Sequence, residues 1–143
     1  DGRRVLLTHG TPIRDDGQGL NPALTDAAVR YEITNSNADL ICVGHFHAQM
    51  NRVIDDVRII NPGAVSNNFA PDLRAAYAIL TADASGYAIR YYRVAYDLEA
   101  TKVAIQRSGD PGASYQIRFA EGQVRAGWLD HWDGVAHSVT VHE

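Results

Sequence analysis

The apolar positions of this chain come in short blocks. Arg3-Arg4-Val5-Leu6-Leu7-Thr8 has an unbroken apolar centre, and so does Asp39-Leu40-Ile41-Cys42-Val43. Runs this short predict strands buried on both faces. Between them, Leu24-Thr25-Asp26 predicts a helix start, with Thr25 as N-cap, Asp26 at the positive helix end and Leu24 stapled onto Val29. That helix should fade in Asn35-Ser36-Asn37. Strand, helix and strand in this order predict a βαβ unit with parallel pairing. Residues 50–54 and 57–61 flank Asp55-Asp56 as a hairpin. Residues 75–81 and 87–94 form two more strands, joined through Asp83-Ala84-Ser85-Gly86, with Tyr91, Arg93 and Ala95 facing one way and Arg90, Tyr92 and Val94 the other. Asp97 caps a helix over 98–107 that Ser108-Gly109 stops. Residues 114–120 fit both helical spacing and strand alternation. The pattern predicts a mixed α/β protein with an antiparallel tail to its sheet.

Composition narrows the class. The chain has 143 residues, 45% hydrophobic and 21% charged, which suits one globular domain and excludes collagen, coiled coil and disorder. No run of 18 apolar residues marks a membrane span. The single cysteine, Cys42, gives no disulfide framework and reads as an inert buried thiol; the expected location is the cytoplasm. Thirteen basic against seventeen acidic residues leave a net charge of −4, which argues against a protein built to grip nucleic-acid backbone. The opening Asp1-Gly2 is a preferred hairpin-turn pair, followed at once by a strand. It predicts a chain cut within a hairpin, and hence the later part of something longer.

Three histidines stand out by position. His9 follows the first buried strand, and His45 and His47 follow the second. In open α/β sheets, ligands bind beyond the carboxyl ends of the strands, so parallel neighbours bring these imidazoles to one edge. Neutral imidazole ligates manganese, iron, zinc and similar ions. Gly44 is expected to let the backbone turn tightly before His45, and Phe46 to anchor the loop.

The chain resembles the calcineurin-like metallophosphoesterases, in particular their small bacterial phosphodiesterase-like branch. The resemblance rests on Thr8-His9-Gly10-Thr11-Pro12, Gly44-His45-Phe46-His47 and Asn61-Pro62-Gly63-Ala64-Val65, in that order. Residues 73–80 and 92–97 add support. It covers residues 1–121, taken as the C-terminal part of a metallophosphoesterase domain, with 122–143 as a C-terminal extension.

The resemblance implies part of a four-layer αββα sandwich with mixed β-sheets, and a hydrolase of phosphodiesters or phosphomonoesters that works through a two-metal-activated hydroxide. It implies two divalent ions, manganese first, with iron, zinc, nickel or magnesium as alternatives. His9 and His45 would bind the second ion and His47 the first. Asn61, Gly63 and Arg74 are candidates for substrate binding, and Asn67 and Asn68 for lining the cleft. No residue is assigned as catalytic.

The family's Asp-x-His, Gly-Asp-x-x-Asp and Gly-Asn-His motifs do not occur here, and neither Asp15-Asp16 nor Asp55-Asp56 replaces them. The chain is therefore expected to be inactive alone. It should also expose an apolar sheet face for a partner, either the missing N-terminal segment of the same domain or a second copy. Nucleic acid is expected only as a phosphodiester substrate. The alternative function is a protein-binding scaffold, as a small retromer subunit of this fold is. His131, His137 and His142, with Asp130 and Asp133, match no metal spacing; Trp128 and Trp132 are expected to pack on the body.

Overall fold

The computed structural model describes residues 2–125 and 139–142, the latter as a strand only. The extension's His131, His137, Trp128, Trp132, Asp130 and Asp133 lie outside the described residues, as does Asp1.

The first sheet holds β1 (Val5–Leu7), β2 (Leu40–Cys42), β3 (Gln49–Ile54) and β4 (Val57–Pro62), in the order β1-β2-β4-β3. β1 pairs parallel with β2, and β2 parallel with β4; β3 returns antiparallel. Helix α1 (Asp26–Ile33) makes the crossover from β1 to β2, as the periodicity predicts. Thr25 caps it, its hydroxyl accepting from the Ala28 amide at 3.3 Å. The β3–β4 turn has Asp55 and Asp56 both at positive φ, the geometry of a tight two-residue hairpin. Arg30 of α1 pairs with Asp55 and Arg52 of β3 with Asp26, tying helix to hairpin.

The second sheet is antiparallel, β5 (Ala75–Asp83), β6 (Gly86–Val94) and β7 (Val139–His142). α2 (Leu98–Arg107) follows, capped by Asp97, and α3 (Ala113–Ala120) resolves the ambiguous segment as a helix. Tyr115 and Phe119, four residues apart, then meet edge to face at 5.1 Å on one side of α3.

Two apolar layers result from alternation along β2 and β4. Ile41 and Ile59 face α1 with Val29, Ile33 and Met50, while Leu40 and Ile60 face the second sheet and Ile89. Between the sheets, buried Gln49 donates from Nε2 to the carbonyls of Tyr77 (3.3 Å) and Tyr92 (3.2 Å) and accepts from Arg93 Nε at 3.0 Å. Tyr91 and Arg93 do share the inward face of β6, and the Tyr91 hydroxyl donates to the Met50 carbonyl at 2.8 Å.

One strand departs from expectation. β2 is buried on both faces, but β1 is not: Val5 is 49% and Leu7 74% exposed. β1 ends the sheet order, and the second sheet covers Leu40 and Cys42 but stops short of their register partners Val5 and Leu7.

Candidate metal centre

The three parallel strands deliver their carboxyl ends to one edge. The ladder continues past them, with the Thr8 amide on the Cys42 carbonyl, the Val43 amide on the Ile60 carbonyl and the Gly44 amide on the His9 carbonyl (3.0, 2.8 and 2.9 Å). These bonds bring the turn after β1, the turn after β2 and the end of β4 side by side.

His9 and His45 meet there. His9 Nε2 lies 3.1 Å from His45 Nδ1, with the rings edge to face. The other nitrogen of His45, Nε2, lies 3.0 Å from the Gly17 carbonyl, to which it can only donate. That bond leaves Nδ1 with the lone pair, aimed at His9. A carbonyl on the far side of a ligating imidazole is the common means of fixing its tautomer and orientation. Two imidazole nitrogens bound to one ion at about 2.0–2.1 Å stand roughly 3.0–3.4 Å apart, so this pair fits two adjacent positions of one divalent ion.

His47 is oriented in the same way but does not join them. Its Nδ1 donates to the Asn67 carbonyl at 3.0 Å, leaving Nε2 with the lone pair, beside the rings of Phe69 and Phe119. Among the described residues, no group of three His, Cys, Asp or Glu side chains is placed to hold a metal ion. His9 and His45, expected on one ion, form a pair, and His47, expected on its neighbour, stands beside them on a shared cleft. Asp55 is on the β3–β4 turn with Arg30, while Asp15 and Asp16 are exposed on the loop that leads to Gly17 and join no group of three with the histidines.

The backbone differs from expectation at Gly44. The left-handed residue is His45 itself, at φ 57°, while Gly44 has no positive φ. A β-branched or bulky residue there is costly, about 1–2 kcal/mol, and the loop is held by its surroundings. Asn61 does most of this. It is 1% exposed, donates from Nδ2 to the carbonyls of Gly44 (2.8 Å) and Phe46 (2.7 Å), and accepts from the Gly63 amide at 2.9 Å. Both amide protons are taken by the loop and the residue is buried, so it supports the histidine loop.

The other substrate candidates make contacts of their own. Gly63, at φ 86°, is where β4 passes the second sheet so closely that a Cβ would stand 2.8 Å from that of Ala76. Arg74 forms a two-pronged pair with Asp72 (2.9 and 2.7 Å) and lines a separate cavity with Tyr96 and Leu98. Asn68 is buried and donates to the carbonyls of Ala64 and Arg74.

Gly17 escapes a reading of residue types, and Asn67, expected to line the cleft, contributes in a way that residue type does not show. Gly17 and Asn67 act through backbone carbonyls, which carry no side-chain signature; the one hint is that asparagine tolerates the left-handed φ of 57° that Asn67 adopts. The loop bearing Gly17 is anchored by Arg14, which pairs with buried Glu32 of α1. Cys42, half-buried beneath the second sheet, has its thiol pushed up to about 11 by burial, so it is a poor nucleophile at neutral pH.

The calcineurin-like phosphoesterase superfamily domain matches residues 1–85, more than half of the chain. The chain is 33% identical over 92 residues to the probable metallophosphoesterase YsnB of Bacillus subtilis, a match covering 63% of this chain and 48% of that protein. A metallophosphoesterase from Sphaerobacter thermophilus superposes with a TM-score of 0.67 at 24% identity, over 85% of this chain and 57% of the other. A hypothetical protein from Pyrococcus horikoshii OT3 gives 0.70 at 16% identity, over 87% and 48%. The chain thus spans about half the length of the proteins it matches.

Proposed function

Because this chain belongs to the calcineurin-like phosphoesterase superfamily, we propose that it supplies the imidazole part of a divalent-metal phosphoesterase centre. His9 and His45 would share one ion, and His47 would serve its neighbour. Metallophosphoesterases as a family use divalent metals; manganese is the proposed occupant. The observation that carries the reading is the 3.1 Å approach of His9 Nε2 to His45 Nδ1, with the Gly17 carbonyl holding the far side of His45. When bound, the ions would supply Lewis acidity at phosphorus and an activated water. The chain's own residues orient and hold: Gly17 and Asn67 fix which imidazole nitrogens carry lone pairs, and Asn61 fixes the loop.

The proposed substrate is a phosphodiester or phosphomonoester. Neutral imidazoles leave the ions more electrophilic than a cage of carboxylates would. Among the described residues no carboxylate joins the histidines in a group of three, and the centre proposed for this chain lacks its acidic ligands. A further segment of the same domain would add the acidic ligands and cover Val5 and Leu7 on β1.

Mn²⁺ titration of the chain followed by electron paramagnetic resonance, alongside hydrolysis of bis(p-nitrophenyl) phosphate, tests this. The expected result is weak Mn²⁺ binding, reduced at least about tenfold by His9→Ala or by His45→Ala, with hydrolysis near background. Binding unchanged in both variants would overturn the ligand assignment. Robust Mn²⁺-dependent hydrolysis would overturn the incompleteness, and no Mn²⁺ binding at all would favour the scaffold function.

A further inference from the structure

Beside His45 and His47 the described residues enclose a cleft of about 490 Å³, a size that suits a small organic ligand. Its wall is aromatic. Phe69 lies 5.4 Å from Phe46 and 5.8 Å from Phe119, ring centre to ring centre, and Tyr115 meets Phe119 edge to face at 5.1 Å. The His47 ring is 6.5 Å from Phe69 and 6.3 Å from Phe119, so the aromatic wall begins at the histidines.

The described part of the wall is also uncharged. Among the described lining residues none is Lys, Arg, Asp or Glu. Its polar members among the described residues are Gln18, Asn21 and the Tyr115 hydroxyl besides the histidines, and Asn21 is buried with its amide turned to the Gln18 and Gly19 carbonyls and the Ala23 amide. Among the described residues a second phosphate would find no counter-charge here, and a sugar or a nucleobase edge would find few polar partners, at about 1–3 kcal/mol for each polar group buried without one. A planar apolar ring suits the cleft, because aromatic pairs at centroid separations of about 4.5–7 Å gain attraction beyond the area they bury. Phe46 and Phe69 lie within the matched residues 1–85, whereas Tyr115 and Phe119 come from α3, beyond them.

Resting on the phosphoesterase reading above, we propose that the cleft selects aryl phosphate esters. The ester's apolar ring sits against Phe69, Phe119 and Tyr115 while its phosphoryl group lies at the histidines. Tyr115 and Phe119 are specificity residues for the ring.

Ligand-observed NMR titration of the full chain tests this, with and without Mn²⁺, using phenylphosphonate, methylphosphonate and adenosine monophosphate as probes. Phenylphosphonate should bind at least about tenfold more tightly than methylphosphonate, the equivalent of about 1.4 kcal/mol, in both metal states, and more tightly than adenosine monophosphate. Tyr115→Ala should cut that preference to under about threefold; Tyr115 is 58% exposed, so this variant should fold normally. Phe119→Ala, at a buried position, should do the same if its melting curve stays cooperative. Equal binding of phenyl and methyl probes, tighter adenosine monophosphate, or a preference that survives Tyr115→Ala would overturn the proposal, even if Mn²⁺ strengthens all phosphonates. A ring preference without any Mn²⁺ effect would support the cleft and count against the phosphoesterase reading alone.

Discussion

Asn61 shows how a single buried amide can decide the geometry of a site it never touches. Its two donated bonds hold carbonyls on either side of His45, and its oxygen holds the Gly63 amide. Asn61→Ala would leave two carbonyls and one amide unsatisfied in the interior, where each costs about 1–3 kcal/mol. Even with partial relaxation we expect a loss of about 2–4 kcal/mol of stability by urea denaturation, together with weaker Mn²⁺ binding. A destabilisation under about 1 kcal/mol would mean that the loop holds itself. Cooperation of this kind also explains His45 at φ 57°: the surroundings over-determine a conformation that its own side chain disfavours.

Among the elements, β1 is where local pattern and tertiary packing part. Val-Leu-Leu in isolation fits a doubly buried strand, and β2 with Leu-Ile-Cys is one. Burial of the outer residues depends on what lies across from them, and among the described residues nothing covers Leu7 or extends the sheet beyond β1. An edge that exposes backbone groups and apolar side chains together invites pairing. We expect the isolated chain to self-associate at micromolar concentration in sedimentation velocity, and Leu7→Lys to shift it toward monomer. A wild-type chain that stays monomeric would count against an open edge at β1.

For the molecule as a whole, a polar chain joins the two sheets to the loop before β5. Gln49 bonds Tyr77, Tyr92 and Arg93; Arg93 reaches Asp72 at 3.1 Å; Asp72 holds Arg74. The Arg74 side chain, hydrogen-bonded to Asp72, is the main cause that draws its carboxyl down to about 2, against burial that opposes it. Because the folded-state value lies below the unfolded one near 3.9, the pair's stabilisation is complete above about pH 4. It is lost as pH falls towards 2. Urea midpoints at pH 5 and pH 2.5 should therefore drop further for the wild type than for Asp72→Asn. Equal drops would show that the linkage contributes nothing measurable.

The sequence by itself determined the elements and the direction of the chain between them. Caps at Thr25 and Asp97, the Asp55-Asp56 turn and two short apolar runs are local signals, set by backbone sterics and by hydrogen bonds a few residues apart. They also determined that His9 and the His45-His47 loop reach one sheet edge, because parallel strands share a direction. Tertiary structure alone decided which imidazoles pair. The 3.1 Å contact of His9 with His45 spans 36 positions, and the partners that orient both rings of the His45-His47 loop are backbone carbonyls of Gly17 and Asn67, atoms that every residue carries. The aromatic cleft has the same origin: Phe46, Phe69 and Phe119 lie far apart in sequence, and Phe119 reaches Phe69 only because α3 packs beside the site. Spacing along a chain encodes contacts within one element, whereas contacts between elements depend on how the sheets and helices pack.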